Sequence, residues 1–342
     1  MNAIDVVIPC YRYAHYLDEC VGSVLSQAGV DVRILIVDDA SPDDTPIVAQ
    51  RLVQRDSRVN YVRNPSNIGH ISTYNKGIAW VEAPYMLLLS ADDFVMPDML
   101  RRAVSLMETH PDMSLCFGEA LELYDDYSTK RVRIDLNLPE GATKILTGEE
   151  FVRLCVNSGA TNIVPTPSAV VNAKWLKQLG GYRADLPHSG DLEMWLRLAA
   201  HGGVGFIKDK VAVYRRHGSN MSLGYCDNEC ILDLQQRKAA FDAFFETCSS
   251  ALPSASVLHR ELINPLGYQA VMSACSAFDH GRMDLCSSLL ALASEIDPSI
   301  HRTRVWKNLA YKRFIGPSAT NALRFLFSIL PLKKRDPKAV QT

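Results

Sequence analysis

Asp5-Val6-Val7-Ile8-Pro9-Cys10-Tyr11-Arg12, near the start of a chain of 342 residues, decides the fold. Val6, Val7 and Ile8 are β-branched neighbours with no polar residue between them, the mark of a strand buried on both faces. Leu17, Cys20, Val21, Val24 and Leu25 then recur at i, i+3, i+4, i+7 and i+8, one apolar face of a helix. The strand-then-helix unit repeats. Val32 to Val37 precedes a helix from about Thr45, Val59 to Val62 precedes one near Ser72 to Val81, and Tyr85 to Leu89 supplies a fourth strand. Apolar strands alternating with amphipathic helices predict a doubly wound half of an α/β fold, with a mostly parallel central sheet flanked by helices.

Further along, Leu100, Ala103, Val104 and Met107 share a helix face, and Met113 to Phe117 has strand character. Residues 121 to 145 turn polar. Thr147-Gly148-Glu149-Glu150 is a capping box ahead of the apolar Phe151, Leu154 and Cys155. A short strand is expected over Ser168 to Val171, a helix over Ala173 to Leu179 stopping at Gly180-Gly181, and another from near Asp191 to Gly202-Gly203. Beyond about Met221 strand signals vanish and a long helix is expected around Ile231 to Phe245. Gly281-Arg282-Met283-Asp284, between two apolar stretches of residues 265 to 297, suggests a helical hairpin. The expected division is therefore 1-222 and a helical extension, 223-342.

Composition narrows the function. A 47% hydrophobic and 22% charged chain is of globular type, and 36 Lys+Arg against 38 Asp+Glu argue against bulk nucleic-acid binding. The nine scattered cysteines suit a reducing compartment, and the close pair Cys226 and Cys230 lacks the second pair that a zinc site needs. The chain enters a strand at Ile4 with no basic leader, and its longest apolar runs fall far short of the roughly 20 residues of a membrane span. A cytoplasmic protein is expected.

Ligands of an open parallel sheet bind beyond the carboxyl ends of its strands. There the chain places Pro9-Cys10-Tyr11-Arg12, Asp38-Asp39-Ala40-Ser41 and Ser90-Ala91-Asp92-Asp93. Acidic pairs in such turns either cap the next helix or hold a cation, and two pairs on one sheet edge favour a divalent metal that offsets their repulsion. No glycine-rich phosphate loop follows any strand, so phosphate would be held by metal and basic side chains.

Val7-Ile8-Pro9-Cys10-Tyr11-Arg12, Ile36-Val37-Asp38-Asp39-Ala40-Ser41, Asn67-Ile68-Gly69, Asn75-Lys76-Gly77-Ile78 and Ser90-Ala91-Asp92-Asp93 together resemble glycosyltransferase family 2 over residues 3 to about 220. The resemblance implies the GT-A fold, a nucleotide-diphosphate-sugar donor, Mg²⁺ or Mn²⁺ as cofactor, and transfer with inversion. It implies that Pro9 and Tyr11 line the nucleoside site, that Asp39, with Asp38 beside it, bonds the base, and that Asp92 faces the ribose. Asp93 matches the last acid of the metal-binding element, although Ser90 stands where many members have a further Asp.

In Gly190-Asp191-Leu192-Glu193-Met194-Trp195, Asp191 is similar to the family's catalytic base, which takes the proton of the acceptor hydroxyl. At a helix N-terminus its pKa is expected to be lowered, so that position rather than basicity makes it effective; the alternative is a plain N-cap. Glu193 is expected to be a solvated helix residue. Tyr214-Arg215-Arg216-His217-Gly218-Ser219-Asn220 resembles the family's basic loop over the donor phosphates, with His217 either on phosphate or in the metal shell.

Residues 302 to 335 hold nine Lys or Arg and no Asp or Glu, interleaved with Trp306, Tyr311, Phe314, Phe325 and Phe327. Such a stretch suits peripheral contact with an anionic membrane at the inner face of the plasma membrane, a partner-binding helix, or packing on an acidic domain. The expected function is an inverting glycosyltransferase acting on a glycan or lipid-linked acceptor in cell-surface polysaccharide or lipopolysaccharide synthesis. Its rivals are a nucleotidyltransferase on a similar sheet and a non-catalytic carbohydrate-binding or scaffold protein of the same fold.

Overall fold

The computed structural model describes residues 3-134, 136-225 and 227-316, without the side chains of residues 222 and 227-230. It divides into two compact units, residues 1-227 with 232-265, and residues 228-231 with 266-342. The first unit runs β1 (Ala3–Cys10), α1 (Ala14–Leu25), β2 (Asp31–Asp38), α2 (Thr45–Arg55), β3 (Val59–Arg63), α3 (His70–Trp80), β4 (Tyr85–Leu88), β5 (Phe94–Val95), α4 (Met99–Thr109) and β6 (Met113–Tyr124). It continues with β7 (Thr129–Val132), β8 (Thr143–Leu146), α5 (Gly148–Asn157), β9 (Val170–Asn172), α6 (Ala173–Leu179), α7 (Gly190–His201) and β10 (Gly203–Arg216). Then come α8 (Asp227–Cys248) and α9 (Ala255–Asp279), followed by α10 (Met283–Ile296) and α11 (Arg304–Ile315).

The sheet order is β3-β2-β1-β4-β9-β6-β10-β5, with β7 on β6 and β8 on β10. The first four strands are parallel neighbours, as their double-sided apolar character predicts. The second half differs from a doubly wound sheet: β9 runs antiparallel to both β4 and β6, while β6 and β10 pair parallel. Alternation along β1 explains its burial. Ile4, Val6 and Ile8 join the cluster formed with Leu17 and Val21 of α1, Leu52 of α2 and Leu100 and Val104 of α4. Val7 points the other way, under α3, so closely that a Cβ on Gly77 would lie 2.1 Å from Val7 Cγ1. Asp5, fully buried, is neutralised by a bidentate bond from Arg33 at 2.8 Å and by the amides of Glu82 and Ala83.

The capping box forms as its sequence predicts: Thr147 Oγ1 accepts from Glu150 N, and Glu150 Oε2 accepts from Thr147 N. Glu193 is not solvated. It is 1% exposed and bonded by Arg197, whose guanidinium also donates to the carbonyls of Leu179, Gly180 and Gly181 and so ties the end of α6 to α7.

The first unit keeps α8 from Leu232 onward and the start of α9, past the expected break at 222/223. The reason is a set of polar ties: Asp233 to His188, Arg237 to the Ala160 carbonyl, Ser254 N to Glu149, and the Arg153–Glu261 pair. In the second unit, the α9–α10 hairpin turns at Gly281, whose φ of +74° suits glycine. Leu266, Val271, Phe278, Leu289 and Ile296 are buried there. Seven described cysteines are free. Cys226, the Cys230 side chain and the basic stretch from 317 onward lie outside the described residues. Among the described residues, no helix is long and apolar enough to cross a membrane.

Candidate active site

The sheet brings the ends of β1, β2 and β4 to one edge. Cys10 pairs with Asp38 in register, Asp39 N donates to the Cys10 carbonyl at 3.0 Å, and Ala91 N donates to the Pro9 carbonyl at 3.3 Å. Both turns are tight: Arg12 and Ala40 take φ of +66° and +57°, values uncommon for residues with a Cβ. A cleft of about 860 Å³ opens at this edge, and Pro9, Tyr11, Asp39, Asp92, Asp93, Asp191 and His217 all line it. The three distant acids Asp39, Asp93 and Asp191 therefore share one cleft.

Asp39 organises one end of the cleft. Its Oδ1 accepts from Asn64 Nδ2 and from Ile68 N, and its Oδ2 from Gly69 N, at 2.8, 2.9 and 3.0 Å. This accounts for the Asn67-Ile68-Gly69 motif, whose Gly69 has φ +84°. Asp38 has a different place from the one expected. It is fully buried, and its carboxylate is consumed by Ser41 N, the Tyr61 hydroxyl and Arg63. It is a strut beneath the turn and does not line the cleft.

At the other acidic pair, Asp93 Oδ1 accepts from Arg215 N at 2.9 Å, and Asp92 Oδ2 lies 3.1 Å from His217 Nε2. Burial pushes the Asp93 carboxyl well above the ordinary range, and the neighbouring Asp92 adds to the effect. Asp92 is also raised by burial, with His217 acting against it. Two carboxyls whose charge is disfavoured by burial, beside an imidazole, form a donor set that suits Mg²⁺ or Mn²⁺. The second oxygen of Asp93 has no hydrogen bond among the described residues. His217 is differently set: its Nδ1 accepts from Ser219 N, so Nε2 carries the proton and donates to Asp92. It would have to release Asp92 to bind a metal, whereas donating toward a phosphate needs no change of tautomer. Among the described residues, no three His, Cys, Asp or Glu stand together as a ready-made metal cluster.

The two arginines do not line this cleft. Arg215 Nη2 is bonded to Glu19 at 2.6 Å, its Nε donates to the Asp92 carbonyl, and its guanidinium lies 4.5 Å from the Tyr16 ring centroid. Arg216 is held by Glu122 and faces a neighbouring cavity. Their carboxylate partners come from far away in the chain, which spacing along the loop does not reveal. The arginine that does line the cleft is Arg12, a post-strand residue whose position in the sequence was the only available signal.

Asp191 is the second residue of α7. Ser189 is the cap, so Asp191 is no N-cap. Its Oδ2 accepts from Thr166 Oγ1 at 2.6 Å. The expected lowering by the helix end does not prevail. Burial raises the carboxyl above its ordinary value, against the opposing pull of Thr166, Tyr182, His70 and His188. The Tyr182 hydroxyl, buried and lining the same cleft, lies close enough to Asp191 to favour its ionised form. Asn75 explains its motif: its amide donates to the Tyr182 carbonyl and accepts from Tyr182 N, both at 2.8 Å, binding α3 to the segment before α7. His70 Nε2 lies 2.8 Å from the Pro187 carbonyl and has a structural partner there.

A family model described as glycosyl transferase family 2 matches residues 5–164. An uncharacterized glycosyltransferase of Haemophilus influenzae is 20% identical over 229 residues, covering 65% of this chain and 68% of that protein. Among solved structures, S. aureus TarS 1-349 in complex with UDP-GlcNAc superposes with a TM-score of 0.55 at 14% identity, over 88% of this chain and 92% of that one. The mannosyltransferase PcManGT from Pyrobaculum calidifontis, in complex with GDP-Man and Mn2+, gives 0.51 at 15% identity, over 93% and 86%. At such identities the structural likeness is one of fold. The chain thus carries, over residues 5–164, a glycosyl transferase family 2 domain, built in the GT-A fold.

Proposed function

We propose that this protein moves a sugar from a nucleotide-diphosphate donor to a hydroxyl of a glycan or lipid-linked acceptor, with inversion at the anomeric carbon. The observation that carries this reading is the meeting of Asp39, Asp93 and Asp191 around one cleft at the carboxyl edge of the sheet. The nucleoside would lie across Pro9 and Tyr11 toward Asp39, and the diphosphate toward Asp93, Arg12 and His217. Asp93, with Asp92 beside it, would hold Mg²⁺ or Mn²⁺, which when bound offsets charge on the leaving diphosphate.

Asp191 takes the proton of the acceptor hydroxyl as that oxygen forms its bond to the anomeric carbon. The bond from this carbon to the phosphate oxygen breaks, and its electron pair leaves with the nucleoside diphosphate. A carboxyl raised by burial is a stronger base than an exposed one, and holding it against the attacking oxygen supplies much of the rate.

The test is release of nucleoside diphosphate from UDP, GDP and dTDP sugars with Mn²⁺. Turnover is expected from the wild type, to be lost in Asp93→Ala and to fall at least 100-fold in Asp191→Asn, in keeping with general-base contributions of about 10²–10⁴. Full activity in both variants would refute the assignment.

A further inference from the structure

Next to the donor cleft lies a second cavity of about 440 Å³, which shares Thr166, His188, Asp191 and Tyr214 with it. Asp191 therefore lines both cavities. The second chamber draws on parts of the chain beyond the matched family region: Arg216 at the end of β10, and Asp233 and Arg237 of α8. Its volume falls within the roughly 300–1,000 Å³ usual for small-ligand sites.

Resting on the function proposed above, we propose that this chamber seats the acceptor and is built for an uncharged saccharide. The charges are arranged in closed pairs. Glu122 Oε1 accepts from Arg216 Nε at 2.8 Å, and its Oε2 accepts from the Tyr124 hydroxyl at 2.9 Å. Asp233 Oδ2 accepts from Arg237 Nε at 2.8 Å, while its Oδ1 accepts from His188 Nε2 at 3.0 Å. Arg237 donates further to the carbonyls of Gly159 and Ala160.

An incoming phosphate or carboxylate would find both guanidiniums already engaged by carboxylates and would face the uncompensated Asp191. A sugar meets no such conflict. Carboxylate oxygens have lone pairs left to accept from its hydroxyls, guanidinium N–H groups can donate to them, and Tyr214 lines the chamber as an aromatic wall. One hydroxyl of a sugar seated there would be presented to Asp191, which lines that cavity as well. The α8 residues would then set which acceptor is used.

The experiment measures transfer and hydrolysis together, using the donor that the wild type hydrolyses with Mn²⁺. The acceptors are p-nitrophenyl glycosides of glucose, galactose, mannose and N-acetylglucosamine, with the glucuronide as the anionic counterpart. Transfer to at least one neutral glycoside is expected, with the glucuronide at least tenfold poorer. Thr161→Trp, which fills the chamber, and Glu122→Gln, which opens one ion pair, are each expected to lower the ratio of transfer to hydrolysis at least tenfold, through the acceptor KM. If Thr161→Trp does not fold, Glu122→Gln carries the test.

An unchanged ratio, preference for the glucuronide, or transfer to none of the four neutral glycosides overturns the inference while hydrolysis leaves the donor assignment standing. A wild type that hydrolyses no donor refutes both.

Discussion

Replacing Thr166 by Val keeps the shape of the side chain and removes only the hydroxyl that donates to Asp191 Oδ2 at 2.6 Å. That bond stabilises the ionised carboxylate, and burial opposes it. A hydrogen bond to a charged group contributes about 1.5–3 kcal/mol. Its loss moves the titration of Asp191 upward. The sign is fixed: without the donor the neutral acid is favoured, so the base stays protonated to higher pH and the acid limb of the rate profile climbs. The assay is kcat/KM against pH for the productive donor at saturating Mn²⁺, wild type beside Thr166→Val. The variant should lag most on the acid side and approach the wild type on the alkaline plateau. An acid limb that stays in place, with the rate lowered equally at every pH, would refute a proton-accepting role for Asp191.

Two further substitutions test the frame. Gly77→Ala drives a methyl to 2.1 Å from Val7 Cγ1, and overpacking of this kind costs about 1–3 kcal/mol, seen as a lower urea midpoint; Val7→Ala in the same chain should recover part of it. Arg197→Met strands the buried Glu193 carboxylate and should cost about 3–5 kcal/mol, whereas adding Glu193→Gln should restore stability in part, which a double-mutant cycle in urea measures.

The sequence made the architecture legible where local rules govern it. Apolar strands, the capping box at Thr147 and the Gly180 stop all act within a few residues, and the structure follows them. The post-strand position of Asp39 and Asp93 is equally local, because strand ends in a parallel sheet share an edge. What stayed hidden depends on partners far along the chain. Asp38 and Asp39 are adjacent and chemically identical, yet Arg63 and Tyr61 claim one while the other faces the cleft. Arg215 and Arg216 look like a phosphate clamp until Glu19 and Glu122 arrive from α1 and β6. The direction of the Asp191 shift lies beyond the sequence for a related reason: the helix end is visible there, and the depth of burial is not.

The double bond between Asn75 and Tyr182 has a mechanical consequence. The loop before α3 is gripped by Asp39, and the far side of the same helix grips the segment that leads to Asp191. In the proposed reaction, the side chain that meets the base and the one that takes the proton are thereby tied to the same helix. On that reading a donor spans the gap they set, so discrimination among sugars becomes a matter of length as much as of chemistry.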